Sequence, residues 1–164
     1  LDEEKMVDYS HDEFSLPEIR QMPALVVKPG STAEVAAIMK LAEEKVIPIV
    51  PRGGGTGLCG GCVPSEGAVV LSLERMNRFI EVDQDNLMAV VEAGVRLGDF
   101  YQAVGEKNLF FPPHPGEESA MIGGLIATNA GGARAVKYGV VRNYVRGLEV
   151  VLPGGEVIRP GGNC

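Results

Sequence analysis

Apolar positions recur along this chain with two different periods, and each change of period marks an element. After a polar and irregular opening over residues 1–22, "ALVVKPGSTAEVAAIMKLAEEKVIPIV" (24–50) holds an apolar run, a segment with Val35, Ile38, Ala42 and Val46 at helical spacing, and a second apolar run. This order predicts a strand, a helix and a strand, with Ser31 and Glu34 as a capping box and the two strands as a small parallel pair. "AVVLSL" (68–73) reads as a buried strand, and "FIEVDQDNLMAVVEAG" (79–94) as two strands joined at Gln84-Asp85-Asn86. In "RLGDFYQAVGEK" (96–107), Leu97, Phe100, Tyr101 and Val104 share one helical face. "NLFFPPHPG" (108–116) predicts a short strand ended by prolines, and "SAMIGGLIATNAGG" (119–132) a helix of small residues with glycines in its first turn and at its end. "RGLEVVLPGGEVI" (146–158) predicts a hairpin about Pro153-Gly154-Gly155. Neither a repeat nor an internal linker interrupts the series.

Composition narrows the partners. The 164 residues are 45% apolar, which suits one domain with a core, and the formal net charge of −7 argues against nucleic acid or an anionic membrane. No apolar run approaches the ~20 residues of a spanning helix, and the acidic start lacks the basic region of a signal peptide, so the expected location is the cytoplasm. The chain stops at "RPGGNC", where the second strand of a hairpin has only begun. Residues 1–164 are therefore expected to be one domain and a fragment of a longer protein. Cys59, Cys62 and Cys164 are too few for a disulfide framework, and Cys59-Gly60-Gly61-Cys62 lacks the further ligands that zinc needs. The expectation is small apolar filler between glycines.

The densest signal is "PRGGGTGLCGG" (51–61), directly after a predicted strand. Gly55-x-Gly57-x-x-Gly60 has dinucleotide spacing, but Gly61, Pro64 and Gly67 forbid the helix that such a loop must open into, and no Lys-Ser or Lys-Thr follows as in a Walker loop. What remains is the physics of bare backbone: glycines that adopt φ > 0 can turn successive N–H groups into one concavity, a nest for phosphate oxygens. Arg52, the cation of the loop, either touches a phosphate or sits in solvent. A second glycine-rich stretch around Gly123-Gly124 and Thr128-Asn129 lets a flat ligand come close to a helix N-terminus.

Three motifs in order, "PRGGGTGLCGG", "PPHPGEESAMIGGLIATNAGG" and "VKYGVVRNYVRGLEVVLPGGEVI", make the chain resemble the FAD-binding domain of the p-cresol methylhydroxylase/vanillyl-alcohol oxidase (PCMH-type) superfamily. Within it the likeness is to the branch of glycolate oxidase flavoprotein subunits and D-lactate dehydrogenases, over about residues 17–160. The resemblance implies an α+β domain of two small subdomains with FAD extended between them, one a small parallel β-α-β part and the other a mostly antiparallel sheet flanked by helices. By position, Arg52, Gly53, Gly54, Gly55, Thr56 and Gly57 would hold the pyrophosphate through backbone amides, helped by the Thr56 hydroxyl. Pro115, Gly116, Ser119, Gly123, Gly124, Thr128, Asn129 and Gly132 would line the flavin and ribityl chain, with Tyr138-Gly139 as a turn near the ring. The first glycine loop carries no histidine, so the FAD is expected to be non-covalent.

The implied activity is that of a flavin-dependent 2-hydroxy-acid dehydrogenase or oxidase of the glycolate or D-lactate type, with hydride passing from substrate Cα to flavin N5. In this family the small hydroxy acid is handled by a further domain, so no catalytic base and no metal ligand is named here. His114 and His11 are read as structural or solvent-facing, and Arg142 and Arg146 as solvated or paired with Glu149 or Asp83. Two alternatives stay open. One is another oxidoreductase of the superfamily, such as an alditol or aldonolactone oxidase or the UDP-N-acetylenolpyruvoylglucosamine reductase. The other is a non-catalytic flavin-carrying subunit that docks on an iron–sulfur or flavoprotein electron-transfer partner.

Overall fold

The computed structural model describes residues 3–14 and 16–162, so Cys164 lies outside the described residues. Its contacts divide the chain into two units, one of residues up to Arg75 together with residues from Arg146 onward, the other Met76–Val145. Among the described residues, no helix is long and apolar enough to cross a membrane.

The first unit opens with a helical turn α1 (Glu3–Met6) and a 3-10 turn (Val7–Tyr9), then forms β1 (Leu25–Val27), α2 (Thr32–Lys45), β2 (Ile49–Arg52) and β3 (Val69–Ser72). All three strands are parallel, but β1 and β2 do not pair as the sequence predicted. β3 lies between them, its Val70 against both Val26 and Val50. The reason is burial: Val70, Leu71 and Ser72 are the best covered strand residues, and a strand flanked on both edges satisfies its backbone on both sides. Parallel neighbours need a long crossover. Between β2 and β3 that crossover is the glycine loop itself, residues 53–68, with no helix in it.

Ser31 caps α2 by accepting the Glu34 N–H at 3.2 Å, as expected, yet the return arm differs. Glu34 Oε2 accepts from the Gly30 N–H at 2.7 Å, one residue before the cap. Val35 and Ala42 are buried on one face, whereas Val46 was misplaced by its helical spacing. It is the C-cap, at φ 55, and is 89% exposed. β6 (Val150–Val151) and β7 (Val157–Ile158) form the expected hairpin, tied to α2 through Thr32 Oγ1 donating to Glu149 Oε1.

In the second unit, β4 (Phe79–Asp83) and β5 (Met88–Val91) pair antiparallel across the turn at 84–87. α3 (Leu97–Gly105) buries Leu97, Phe100 and Val104, as its pattern predicted. Leu97, Ala120, Leu125 and Val141 form one core cluster, and Val95, Phe100 and Val104 another, with Phe111 packed against both. Residues 108–116 make no strand. Pro112, Pro113 and Pro115 have no N–H to give a ladder, and the segment manages a single bridge, His114 to Gly132. The helix expected over 119–132 shrinks to α4 (Ile122–Ala127), because Asn129 turns to φ 50 and Gly132 to φ 93. A one-turn helix α5 (Ala135–Tyr138) and a 3-10 turn (Val141–Tyr144) complete the unit.

Candidate functional site

The glycine loop leaves the carboxyl end of β2, where the strand's last carbonyl, that of Arg52, accepts from the Leu73 N–H at 3.0 Å. Beyond it the ladder stops. Among the described residues, nothing accepts a hydrogen bond from the N–H groups of Gly53, Gly54, Gly55, Thr56 or Gly57. All five residues are half-buried or exposed, so these donors stand open to solvent or to a ligand. Water ordinarily satisfies such exposed donors, and a ligand with several acceptor oxygens could replace it at all five. Within 53–61, positive φ occurs at Gly55 (76°) and Gly60 (71°), and Gly67 (74°) adds one more near the loop's end. The nest therefore depends on one left-handed residue following right-handed or extended ones, not on a run of them.

The Arg52 side chain does not stand out in solvent, being only 8% exposed. Nη1 donates to the His11 carbonyl at 2.6 Å and to Cys62 Sγ at 3.1 Å, Nη2 donates to the Asp8 carbonyl at 2.8 Å, and the guanidinium lies 5.5 Å from the Tyr9 ring centre. The guanidinium occupies the space where a Cβ on Gly55 would stand. Burial pushes the Cys62 thiol up, against the pull of Arg52, so Cys62 stays protonated. The filler reading holds for neither cysteine: Cys59 is exposed, and Cys62 serves Arg52 as an acceptor.

Sequence reasoning missed the opening segment. Asp12, 4% exposed, accepts the Gly60 N–H at 2.8 Å through Oδ2 and the Phe14 N–H at 3.0 Å through Oδ1. The Glu13 N–H is shared between the carbonyls of Gly55 and Gly57, each at 3.1 Å. Such contacts are made to backbone, and no residue pattern announces them. The single available signal was Asp12 beside a glycine-rich loop with donors to spare.

In the second unit the predicted residues divide. Gly116 (φ 99) and Gly124 have open space where a side chain would stand, and Gly116, Ser119 and Gly124 are exposed. Gly123 is committed internally: its N–H donates to the Ala93 carbonyl at 2.8 Å, and a Cβ there would come within 2.7 Å of Ala93 Cβ. The Ile122 N–H likewise goes to the Val95 carbonyl at 2.9 Å. The α4 N-terminus is thus docked on residues 93–95, and of its first donors only the Gly124 N–H lacks an acceptor among the described residues. Thr128 Oγ1 bonds back to the Gly124 carbonyl, and Asn129 Oδ1 accepts the Arg142 N–H at 3.0 Å. Gly132 is required because its backbone crosses His114–Pro115 too closely for any side chain. Gly139, at φ 80, ends α5, and the Tyr138 carbonyl receives the Tyr144 hydroxyl at 2.7 Å.

His114 lines a pocket of about 280 Å³ with Tyr101, Phe110, Phe111, Glu118 and Arg134 among its walls. The Tyr101 hydroxyl donates to the Pro113 carbonyl, so the His114 Nδ1 found 3.1 Å from it carries the hydrogen of that contact. The ring is thereby held in place. Of the two readings of Arg142 and Arg146, the solvated one fits, since both are exposed, while Glu149 is bonded to Thr32 and Arg159 and Asp83 accepts from Asn86.

Comparison with known proteins fits these observations. The family model described as FAD binding domain matches residues 23–161. A D-lactate dehydrogenase of Archaeoglobus fulgidus is 56% identical over 84% of this chain and 31% of its own length. The glycolate oxidase subunit GlcD of Bacillus subtilis is 48% identical over 94% of this chain and 33% of its own. The chain thus spans about a third of the length of these relatives. Among solved structures, 6-hydroxy-D-nicotine oxidase from Arthrobacter nicotinovorans superposes with a TM-score of 0.82 over 97% of this chain and 33% of that one. At 23% identity, that likeness concerns the fold.

Proposed function

The chain belongs to the FAD-binding domain family, and from that premise we propose that its glycine loop receives the diphosphate of FAD on the N–H groups of Gly53 to Gly57, which have no acceptor among the described residues. The absence of acceptors for those donors is the observation that carries the reading. A diphosphate supplies acceptor oxygens in the number and spacing that successive amides need, and hydrogen bonds to a charged acceptor are stronger than neutral ones. The Thr56 hydroxyl adds one donor. For the second unit, the reading assigns cofactor contacts to Gly116, Ser119 and Gly124, which are exposed, and to the half-buried Pro115 and Tyr138-Gly139 turn. Thr128, Asn129 and Gly132 support those contacts by fixing the local backbone, and Gly123 serves packing.

The whole protein is read as a flavin-dependent 2-hydroxy-acid dehydrogenase or oxidase, supported by the names of relatives three times as long. Bound FAD supplies the acceptor for the hydride of such a substrate. In this reading the residues of this chain bind and orient the cofactor. The Bacillus relative's designation as a subunit supports a partner that takes the electrons onward, of iron–sulfur or flavoprotein type.

Titration of the chain with FAD, followed by flavin fluorescence, tests the core of this reading. Gly54 is exposed, and Gly54→Val adds bulk in the cradle, with circular dichroism as the check on the fold. Uptake by the wild type, its loss in Gly54→Val and unchanged circular dichroism are expected. Equal uptake by both would place the diphosphate elsewhere. Acid precipitation should release the flavin into the supernatant, as non-covalent attachment requires.

A further inference from the structure

The opening segment holds the glycine loop from one side, and the geometry of the peptide unit says what that does. In a trans peptide the carbonyl and the following N–H point in opposite directions. The Gly55 and Gly57 carbonyls are both drawn to the Glu13 N–H, which turns the Thr56 and Leu58 N–H groups away from the segment, in the same sense. Asp12 meanwhile takes the Gly60 N–H towards itself, which separates that donor from the others and ends the cradle there. Arg52 closes the arrangement beneath Gly55. Its acceptors are two carbonyls and a thiol sulfur, all uncharged, and no carboxylate among the described residues pairs with it. A buried cation without a paired anion destabilises the fold, and an anion seated over Gly55 would offset that cost.

We propose that residues 8–14 are a strap that sets the loop in its anion-receiving shape, with Asp12 and the Glu13 N–H as positioning groups and the Arg52 guanidinium as a charge held under the phosphate without touching it. This rests on the reading of the loop as the diphosphate site. The strap makes two claims that general stabilisation does not. Its loss weakens ligands that carry the diphosphate and spares those that lack it, and the effect follows individual hydrogen bonds and not side-chain bulk.

Four variants separate these. Asp12→Ala removes the acceptor for Gly60, whereas Asp12→Asn keeps a carbonyl oxygen in its place. Glu13→Pro removes the shared N–H, whereas Glu13→Ala keeps it and serves as its reference. Each chain is titrated with FAD and with riboflavin, which has the ring and ribityl chain but no diphosphate, and its thermal melt without ligand is recorded. Asp12→Ala and Glu13→Pro are expected to bind FAD roughly tenfold or more weakly, about what one hydrogen bond to a charged group supplies, with riboflavin affinity changed less than about twofold. Asp12→Asn should restore most of the loss. FAD and riboflavin affinities falling in step overturn the proposal, as does wild-type FAD affinity in a folded Asp12→Ala. If Asp12→Ala does not fold, Glu13→Pro against Glu13→Ala decides in the same way. A wild-type chain that binds riboflavin as tightly as FAD overturns the diphosphate reading itself, and the strap with it. A wild type that prefers FAD, with variants that do not respond, overturns the strap alone.

Discussion

Val46 ends α2 in the left-handed conformation that glycine adopts without cost. Its N–H bonds the Ala42 and Glu43 carbonyls, so the cap is complete, but a β-branched side chain at φ 55 is strained and, being 89% exposed, buries nothing in return. Val46→Gly should therefore raise stability by about 1 kcal/mol, the relief exceeding glycine's greater freedom in the unfolded chain. A urea midpoint that stays put or falls would show that the side chain contributes something the geometry does not. Glu92 makes the opposite case, a residue whose charge is used. Nearly buried, it accepts from Arg78 Nη2 at 2.6 Å, from Nε at 3.1 Å and from the Arg78 N–H at 2.8 Å, and the Arg78 guanidinium holds its carboxyl below the usual carboxylate range. Because the folded value lies below the unfolded one, near 4.3, the contribution is fully present above that pH and is lost as pH falls through the folded value. Glu92→Gln should cost about 1–2 kcal/mol at pH 7 and flatten the stability profile below about pH 4. A variant whose acid limb matches the wild type would assign the acid sensitivity to other carboxylates.

Close backbone approaches decide which elements can exist, and they were only partly readable. α4 can dock on residues 93–95 because Gly123 has no side chain to meet Ala93. Gly123→Ala should cost roughly 1–3 kcal/mol from overpacking, and adding Ala93→Gly should recover part of it, a coupling that urea melts of the four chains in the cycle would measure. Additive losses would mean that the two positions do not touch. Elements with a strong period, α2 with Val35 and Ala42 or α3 with Leu97, Phe100 and Val104, were legible because a single face is buried at 3.6-residue spacing. The strand expected over 108–116 failed on its prolines, and the helix over 119–132 stopped where Asn129 took up φ 50. The place of β3 between β1 and β2 was not legible, since long-range pairing leaves no mark in local spacing. The glycines on which the proposed nest rests were legible from the sequence alone. The strap was not, since Asp12 and Glu13 act on backbone groups some forty residues away that no side-chain pattern encodes.

At the scale of the molecule, electrostatics separates a grip made of backbone dipoles from one made of surface charge. The chain carries a formal net charge of −7, and a dinucleotide diphosphate adds negative charge of its own, so the long-range interaction between them is repulsive. Exposed lysines or arginines holding the phosphates would reverse this locally, and their contribution would fall as salt rises, since the screening length shrinks from roughly 10 Å at 0.1 M to about 3 Å at 1 M. Short hydrogen bonds from Gly53 to Gly57, with the buried Arg52 next to them in sequence, are screened far less, while the overall repulsion is screened fully. FAD affinity measured by fluorescence between about 0.05 and 0.5 M sodium chloride should therefore stay within about threefold, or tighten, and not fall with a steep slope. The same dipolar grip should leave Lys137 and Arg142, both exposed, dispensable: alanine at either is expected to change FAD affinity less than about twofold, the scale of a screened surface charge. A tenfold loss on raising salt would hand the diphosphate to surface cations and leave the free amides of the loop without the partner they are arranged to receive.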